Sequence, residues 1–188
     1  VDEAEARDVM AGIAAGQEAA LARLIAGFGP ALTRFAARAL SSQAEAEEAA
    51  QDCFVRVWRQ ARAYDPARGS VAAWLYKITT NLCIDRQRRA RLRRFFGAAR
   101  AEDMEDLLPD PAPGTEAALA DRQRLAQVRR ALAGLPERQR LALLLAAVAG
   151  LETREIAGIM AASQGSVEQL LVRARRSLRE TLGESDAG

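Results

Sequence analysis

Apolar residues along this chain recur every three or four positions and nowhere alternate, so the pattern predicts helices and no strands. The spacing places helices at about 3–15, 17–40, 43–63, 71–95, 116–134, 136–149, 153–161 and 164–182. Abundant alanine favours the same state. Pro30 falls inside the second segment, where its missing N–H and its ring are expected to bend or split the helix. Pro136 suits a first helical turn, and Gly150 stands just past a helix end. The core-facing stripe of the third segment is Ala50, Cys53, Phe54 and Val57; that of the fourth is Val71, Trp74, Leu75, Ile78 and Leu82.

The periodicity stops after residue 95. The stretch FGAARAEDMEDLLPDPAPGTE has Pro109, Pro111 and Pro113 in close succession and few residues able to form a core, so it reads as an extended tether. The expected fold is all-α: two small helical domains, 1–95 and 116–188, joined by an acidic linker over 96–115.

Composition narrows the function. A chain of 188 residues that is 49% hydrophobic and 28% charged can bury one good core or two small ones. No apolar run reaches the roughly 18 residues of a membrane span, and the acidic start VDEAEARD lacks the features of a signal peptide, so a cytoplasmic protein without membrane insertion is expected. There is no histidine, and Cys53 and Cys83 form no CxxC pair, which leaves too few ligands for zinc and excludes Ser-His-Asp and Cys-His catalysis. Carboxylates are plentiful but none are paired in a recognisable acid/base arrangement, so no enzyme, metal or cofactor is expected. Both cysteines sit in apolar helical patterns and read as free buried thiols.

The net charge of +2 conceals an asymmetry. Residues 1–95 carry 15 basic and 11 acidic side chains, residues 96–116 carry 1 and 6, and residues 117–188 carry 11 and 8. Two basic blocks thus flank an acidic strip, a distribution that suits a polyanion partner for each block.

Three features carry the chemistry. In TREIAGIMAASQGSVEQLLVRARRSL, residues Ala157, Ala161, Val167 and Leu170 have the spacing of a helix-turn-helix, Ser163 is a plausible N-cap, and Ile156, Ile159 and Leu171 add core contacts. Ala161 stands where such a turn more often has glycine, and an ordinary helical hairpin would show a similar pattern. In the segment 71–95, Lys77, Asn81, Asp85 and Arg88 follow one another along one face, and RQRRARLRR places six arginines between Arg86 and Arg94. A helix about 37 Å long at 1.5 Å per residue can track several phosphates. The preceding YDPARGS supplies Tyr64, Arg68, Gly69 and Ser70, which can stack on or hydrogen-bond an unstacked base. In AEEAAQDCFVRVWRQ, Glu48, Gln51, Asp52, Arg56 and Arg59 are left exposed on an amphipathic helix.

Taken in order, these stretches carry a family resemblance. AEEAAQDCFVRVW followed by YDPARGSVAAWLYKITTNLCIDRQRR resembles the second region of bacterial sigma factors of the extracytoplasmic function group, and LPERQRLALLLAAVAGLETREIAGIM with GSVEQLLVRARRSLR resembles their fourth. The resemblance implies a protein that binds core RNA polymerase and directs it to promoters, with promoter DNA, duplex and melted, and an anti-sigma factor as further partners. It implies that Gln51 and Asp52, with Glu48 and Arg56 beside them, bind the polymerase clamp. It implies that the loop Tyr64 to Ser70, including Arg68, holds a flipped base of the minus-ten element, with Lys77, Asn81, Arg86, Arg88 and Arg89 along the strand-binding helix. The tether resembles the segment that threads the polymerase channel.

The second helix of the fourth region departs from the family. Where G-T-V-K-S-R-L is usual, this chain has GSVEQLL, so familiar contacts do not transfer to Glu168, Gln169 and Leu170. One reading gives Glu168 a mild favourable interaction with the helix N-terminus. The other has Glu168 accepting from a cytosine amino group, Gln169 near an adenine, and Arg173 and Arg176 on phosphates, with Gln164 and Ser166 on the same surface. Two other classes compete with the whole reading: a sigma-like decoy that only sequesters an anti-sigma factor, and a DNA-binding regulator that is no polymerase subunit. Lys77, Asn81 and the arginine run argue against the first; the second leaves the N-terminal domain without a role.

Overall fold

The structure, a computed structural model, describes residues 2–95 and 116–183; the expected linker, 96–115, lies outside the described residues. The helices are α1 (Glu3–Ala14), α2 (Glu18–Leu40), α3 (Gln43–Gln60), α4 (Val71–Phe95), α5 (Glu116–Gly134), α6 (Glu137–Ala147), α7 (Thr153–Met160) and α8 (Gln164–Leu182). Two 3-10 turns, Ala61–Ala63 and Pro66–Arg68, join α3 to α4. No strand occurs among the described residues, as the sequence pattern requires.

Polar caps start several of these helices. Asp2 accepts from the Glu5 amide at 2.9 Å, Ser42 from Glu45 at 3.3 Å, and Ser163 from Ser166 at 3.2 Å. One alternative for Pro30 is excluded and one helix end moves. Helix α2 is not split at Pro30: it continues from Glu18 to Leu40, with Ala26 and Pro30 exposed and with Leu24 before the proline and Leu32 and Phe35 after it in one buried core. Helix α3 ends at Gln60 rather than residue 63, because Ala61 is buried and Arg62 donates to the Ala14 carbonyl at 3.3 Å, which turns the chain towards α1.

Helices α1 to α4 enclose a core around Phe35, whose ring meets Tyr76 edge-on at 5.2 Å. Ala36 and Ala39 of α2 and Ala46 and Ala49 of α3 are fully buried, and small side chains there let the two helices approach closely. The expected stripes of α3 and α4 are buried or half-buried in this core, and Tyr76, Thr79 and Cys83 are buried with them. In the C-terminal part, Leu141, Leu144 and Leu145 of α6, Ile156 of α7 and Val167, Leu171 and Ala174 of α8 form the packing. The run LALLLAA of α6 is apolar on every side because α6 lies between α8 and α2. Helix α7 rests against α4, and this packing decides what the next site looks like.

Candidate nucleic-acid interface

The loop between α3 and α4 is built by short-range polar contacts. Asp65 accepts from the Ala67 amide at 2.9 Å and pins the turn that Pro66 begins. Gly69 has φ +150°, a conformation that L side chains rarely adopt, and it reverses the chain into α4. Ser70 then caps α4, accepting from the Ala73 amide at 3.1 Å, and the Tyr64 hydroxyl donates to the Gly69 carbonyl at 3.2 Å. The Tyr64 ring lies 5.6 Å from that of Trp74. Burial and the nearby Glu3 carboxylate hold the Tyr64 hydroxyl above its ordinary pKa, so it stays a donor at neutral pH.

This loop and the adjoining face of α4 enclose a cavity of about 470 Å³. Tyr64, Arg68, Ser70, Lys77 and Asn81, five of the eight residues expected to take the melted strand, line it together. Trp74 and Ile78 supply apolar walls, and Arg56 reaches the same cavity from α3. A nucleobase needs this combination: flat apolar surface for its faces and donors for its edge and phosphate.

The arginine run divides. Arg88 and Arg89 are exposed, whereas Arg86 is turned against α3 with only 14% of its side chain exposed. Its guanidinium donates to Asp52 at 2.7 Å and lies 3.9 Å from Glu48. Arg91 pairs with Glu137, and Arg93 lies 3.9 Å from Glu45. Carboxylates thus tie three members of the run to the body of the protein.

The residues expected on the polymerase-facing helix are all exposed on α3 but point along three flanks. Glu48 and Asp52 turn to Arg86, Arg56 turns to the loop cavity, and Gln51 lines an apolar groove of about 1010 Å³ between α2 and α3. Ile25, Val55 and Trp58, each between 38% and 47% exposed, form the floor and rim of that groove. Sequence reasoning missed Val55 and Trp58, although their i, i+3 spacing beyond the buried stripe was the available signal.

In the C-terminal pair, Ala161 has φ 48° and ψ 51°, the left-handed turn that glycine would fill without strain. Val167, Leu171 and Ala174 seat α8, leaving Gln164, Ser166, Glu168, Gln169, Arg173 and Arg176 exposed. Among the described residues no ion pair holds Glu168. Arg176 donates to Glu180 at 2.8 Å, a fully exposed pair of small energetic weight.

Two further carboxylates bear on the cavity, and sequence reasoning missed both. Glu155 of α7 accepts from the Ser70 hydroxyl at 2.6 Å through one oxygen and from the Glu152 amide at 3.1 Å through the other. Arg154, Gly158 and Ile159 of α7 complete that wall. Glu3 of α1 accepts from the Val71 amide at the start of α4. The position of Glu155, three residues after Glu152, signals a capping role, but its contact with a residue 85 positions away has no local signature. Burial pushes Cys53 up to about 11 and Cys83 up to about 12, so both remain thiols at neutral pH.

Comparison with known proteins gives a consistent picture. Residues 24–93 match the family model described as Sigma-70 region 2, and residues 125–178 match that described as Sigma-70, region 4. The chain is 36% identical over 120 residues to the ECF RNA polymerase sigma factor RpoE of Cereibacter sphaeroides, a match covering 63% of this chain and 61% of that protein. It is 33% identical to the RNA polymerase sigma factor CnrH of Cupriavidus metallidurans over 69% of each chain. It is 30% identical to the RNA polymerase sigma factor NccH of Alcaligenes xylosoxydans xylosoxydans over 98% of this chain and 96% of that one. The match thus spans about three fifths of the first of these relatives and nearly all of the last. Among solved structures, CnrH in complex with the cytosolic domain of CnrY superposes with a TM-score of 0.71 at 27% identity, covering 97% of this chain and 99% of that one. RpoE of Bartonella quintana, solved with the anti-sigma factor NepR, shares the fold at a TM-score of 0.70 and 24% identity, covering 87% and 97%.

Proposed function

This chain belongs to the extracytoplasmic function group of the bacterial sigma-70 family, and we propose that it binds core RNA polymerase in the cytoplasm and directs promoter recognition, strand opening and initiation. Its N-terminal part, 1–95, engages the polymerase through Glu48, Gln51, Asp52 and Arg56 and the apolar groove beside them. The same part takes the melted non-template strand of the minus-ten element. Its C-terminal part, 116–188, reads the duplex of the minus-thirty-five element through the exposed face of α8. The acidic tether 96–115 passes between them along a path otherwise taken by nucleic acid. An anti-sigma factor is the proposed inhibitory partner. The chain performs no catalysis of its own, since the polymerase makes the bonds.

The observation that carries this reading is the convergence of Tyr64, Arg68, Ser70, Lys77 and Asn81 on one cavity. Unstacking a base costs a few kcal/mol, and that cost must be met without ATP by stacking and phosphate contacts made afterwards. Tyr64 and Trp74 offer the aromatic surface; Arg68 and Lys77 offer the charge. Arg88 and Arg89, exposed further along α4, follow the strand beyond the cavity. Arg86 plays a different part: half-buried against α3 and paired with Asp52, it holds the strand-binding helix to the polymerase-binding one.

Strand entry requires a change in the free protein. Ser70, a donor the base or its phosphate would use, is occupied by Glu155, and α7 forms one wall of the cavity. The two parts must therefore separate before the loop can load, as they would when they bind elements a helical turn or more apart on DNA. The test is binding of a single-stranded minus-ten oligonucleotide to holoenzyme made with Lys77→Ala or Asn81→Ala. Each should weaken binding, by roughly 1 kcal/mol or more; unchanged affinity in both removes α4 from the strand-binding role.

A further inference from the structure

A loop that receives an unstacked base loses affinity if it must be ordered at that moment, so whatever stiffens it beforehand contributes to recognition. In this chain the stiffening comes from the far end of the sequence. Both oxygens of Glu3 accept from the Val71 amide, at 3.1 and 3.2 Å, and the Tyr64 hydroxyl lies 3.5 Å from the same carboxylate. Tyr64 and Val71 bracket the loop, so one anion touches both of its ends. The Val71 N–H belongs to the first turn of α4 and has no partner within the helix, and a negative group there also complements the helix dipole. Arg7, one turn along α1, donates to the same carboxylate at 3.0 Å. Glu3 does not line the cavity, and it stands outside the residues 24–93 that match the region 2 family model.

We propose that Glu3 is the positioning residue of the base-holding loop: from α1 it fixes Tyr64 and the N-terminus of α4 in the geometry that receives the base, without touching DNA. This rests on the strand-capture reading of that loop. Residues before the matched region thereby become part of the recognition apparatus. Base discrimination depends on a carboxylate 61 positions away from the tyrosine it steadies.

The test uses holoenzyme assembled from purified core polymerase and the full chain, with a single-stranded oligonucleotide from a promoter that the wild type opens, and variants of it changed at each base. Glu3→Ala should lower strand affinity roughly tenfold, the equivalent of one charge-assisted hydrogen bond. Discrimination at the held base should fall with it, and affinity for core polymerase should be unchanged. Glu3→Gln, which keeps one acceptor for the Val71 amide, should recover most of the loss. Wild-type affinity and discrimination in Glu3→Ala would overturn the proposal, as would an equal loss of core-polymerase affinity that Gln does not recover, the mark of a purely structural role. If Glu3→Ala does not fold, Tyr64→Phe removes only the hydroxyl that meets Glu3 and Gly69, and unchanged discrimination in that variant is equally fatal. Lys77→Ala and Asn81→Ala run in parallel: if they weaken strand binding and Glu3→Ala does not, the positioning role alone falls; if none of the three matters, the strand-capture reading falls with it.

Discussion

Glu155 gives the sharpest quantitative expectation, because from α7 it contacts Ser70 in the loop proposed to receive DNA. Its carboxylate accepts from Ser70 at 2.6 Å and from the Glu152 amide at 3.1 Å. Glutamine in its place has one acceptor oxygen rather than two and no charge. A hydrogen bond to a charged group contributes about 1.5–3 kcal/mol and a neutral one about 1, and both partners here are half exposed, so Glu155→Gln should weaken the closed contact by about 1 kcal/mol. That corresponds to roughly a fivefold larger population with the cavity uncovered. Fluorescence anisotropy with a labelled single-stranded minus-ten oligonucleotide reads the change directly. The free variant should bind about fivefold more tightly than the free wild type, whereas the two holoenzymes should bind alike if the two parts separate on assembly as proposed. Asp8→Asn serves as a control for charge alone, since Asp8 is exposed on α1 and does not line the cavity. Equal tightening in both variants would make the effect general electrostatics, and weaker binding by free Glu155→Gln would refute competition for Ser70 altogether.

Other expectations concern separate parts of the molecule. Ala161→Gly should stabilise the protein by about 1 kcal/mol, seen as a higher thermal midpoint, because it relieves a left-handed alanine; a lower midpoint would show that glycine's freedom in the unfolded chain outweighs the strain. Glu168→Ala should change preference at one upstream base pair by roughly 1–3 kcal/mol in a promoter selection, while Arg176→Ala weakens binding to all sequences alike; an unchanged preference in the first would leave Glu168 with only its interaction with the helix N-terminus. The cysteines set a pH dependence. Both have folded-state values raised from the ordinary 9.0, to about 11 for Cys53 and about 12 for Cys83, so the folded protein holds protons that the unfolded chain releases. Their contribution is complete below pH 9 and is lost as pH rises through 11 to 12, which urea midpoints measured at pH 8 and above 10 should record as a decline. Rapid reaction of either thiol with a disulfide reagent in the folded state at pH 7 would contradict that burial.

Much of this was legible from the pattern of residues. Helical periodicity located the elements to within one to three residues, because a stripe such as Val71, Trp74, Leu75, Ile78 and Leu82 has meaning on a helix alone. Lys77, Asn81 and Arg88 could be placed on one exposed face for the same reason. The local penalty at Pro30 does not by itself decide whether α2 splits, since the buried Leu32 and Phe35 anchor the residues after it in the same core as Leu24. Charge was the harder case. A count of arginines does not distinguish Arg88, which faces solvent, from Arg86, whose guanidinium is consumed by Asp52 34 positions earlier. Glu3 and Glu155 were invisible for the same cause: their partners are 68 and 85 positions away, and no short motif encodes a contact of that range.

The most direct measurement is run-off transcription with purified core polymerase and genomic promoter fragments, with and without this chain. Initiation that depends on the chain, and that is lost when Lys77 and Asn81 are replaced together, is the predicted result. Binding to a neighbouring anti-sigma protein with no transcription from any fragment would contradict it and leave the chain a decoy.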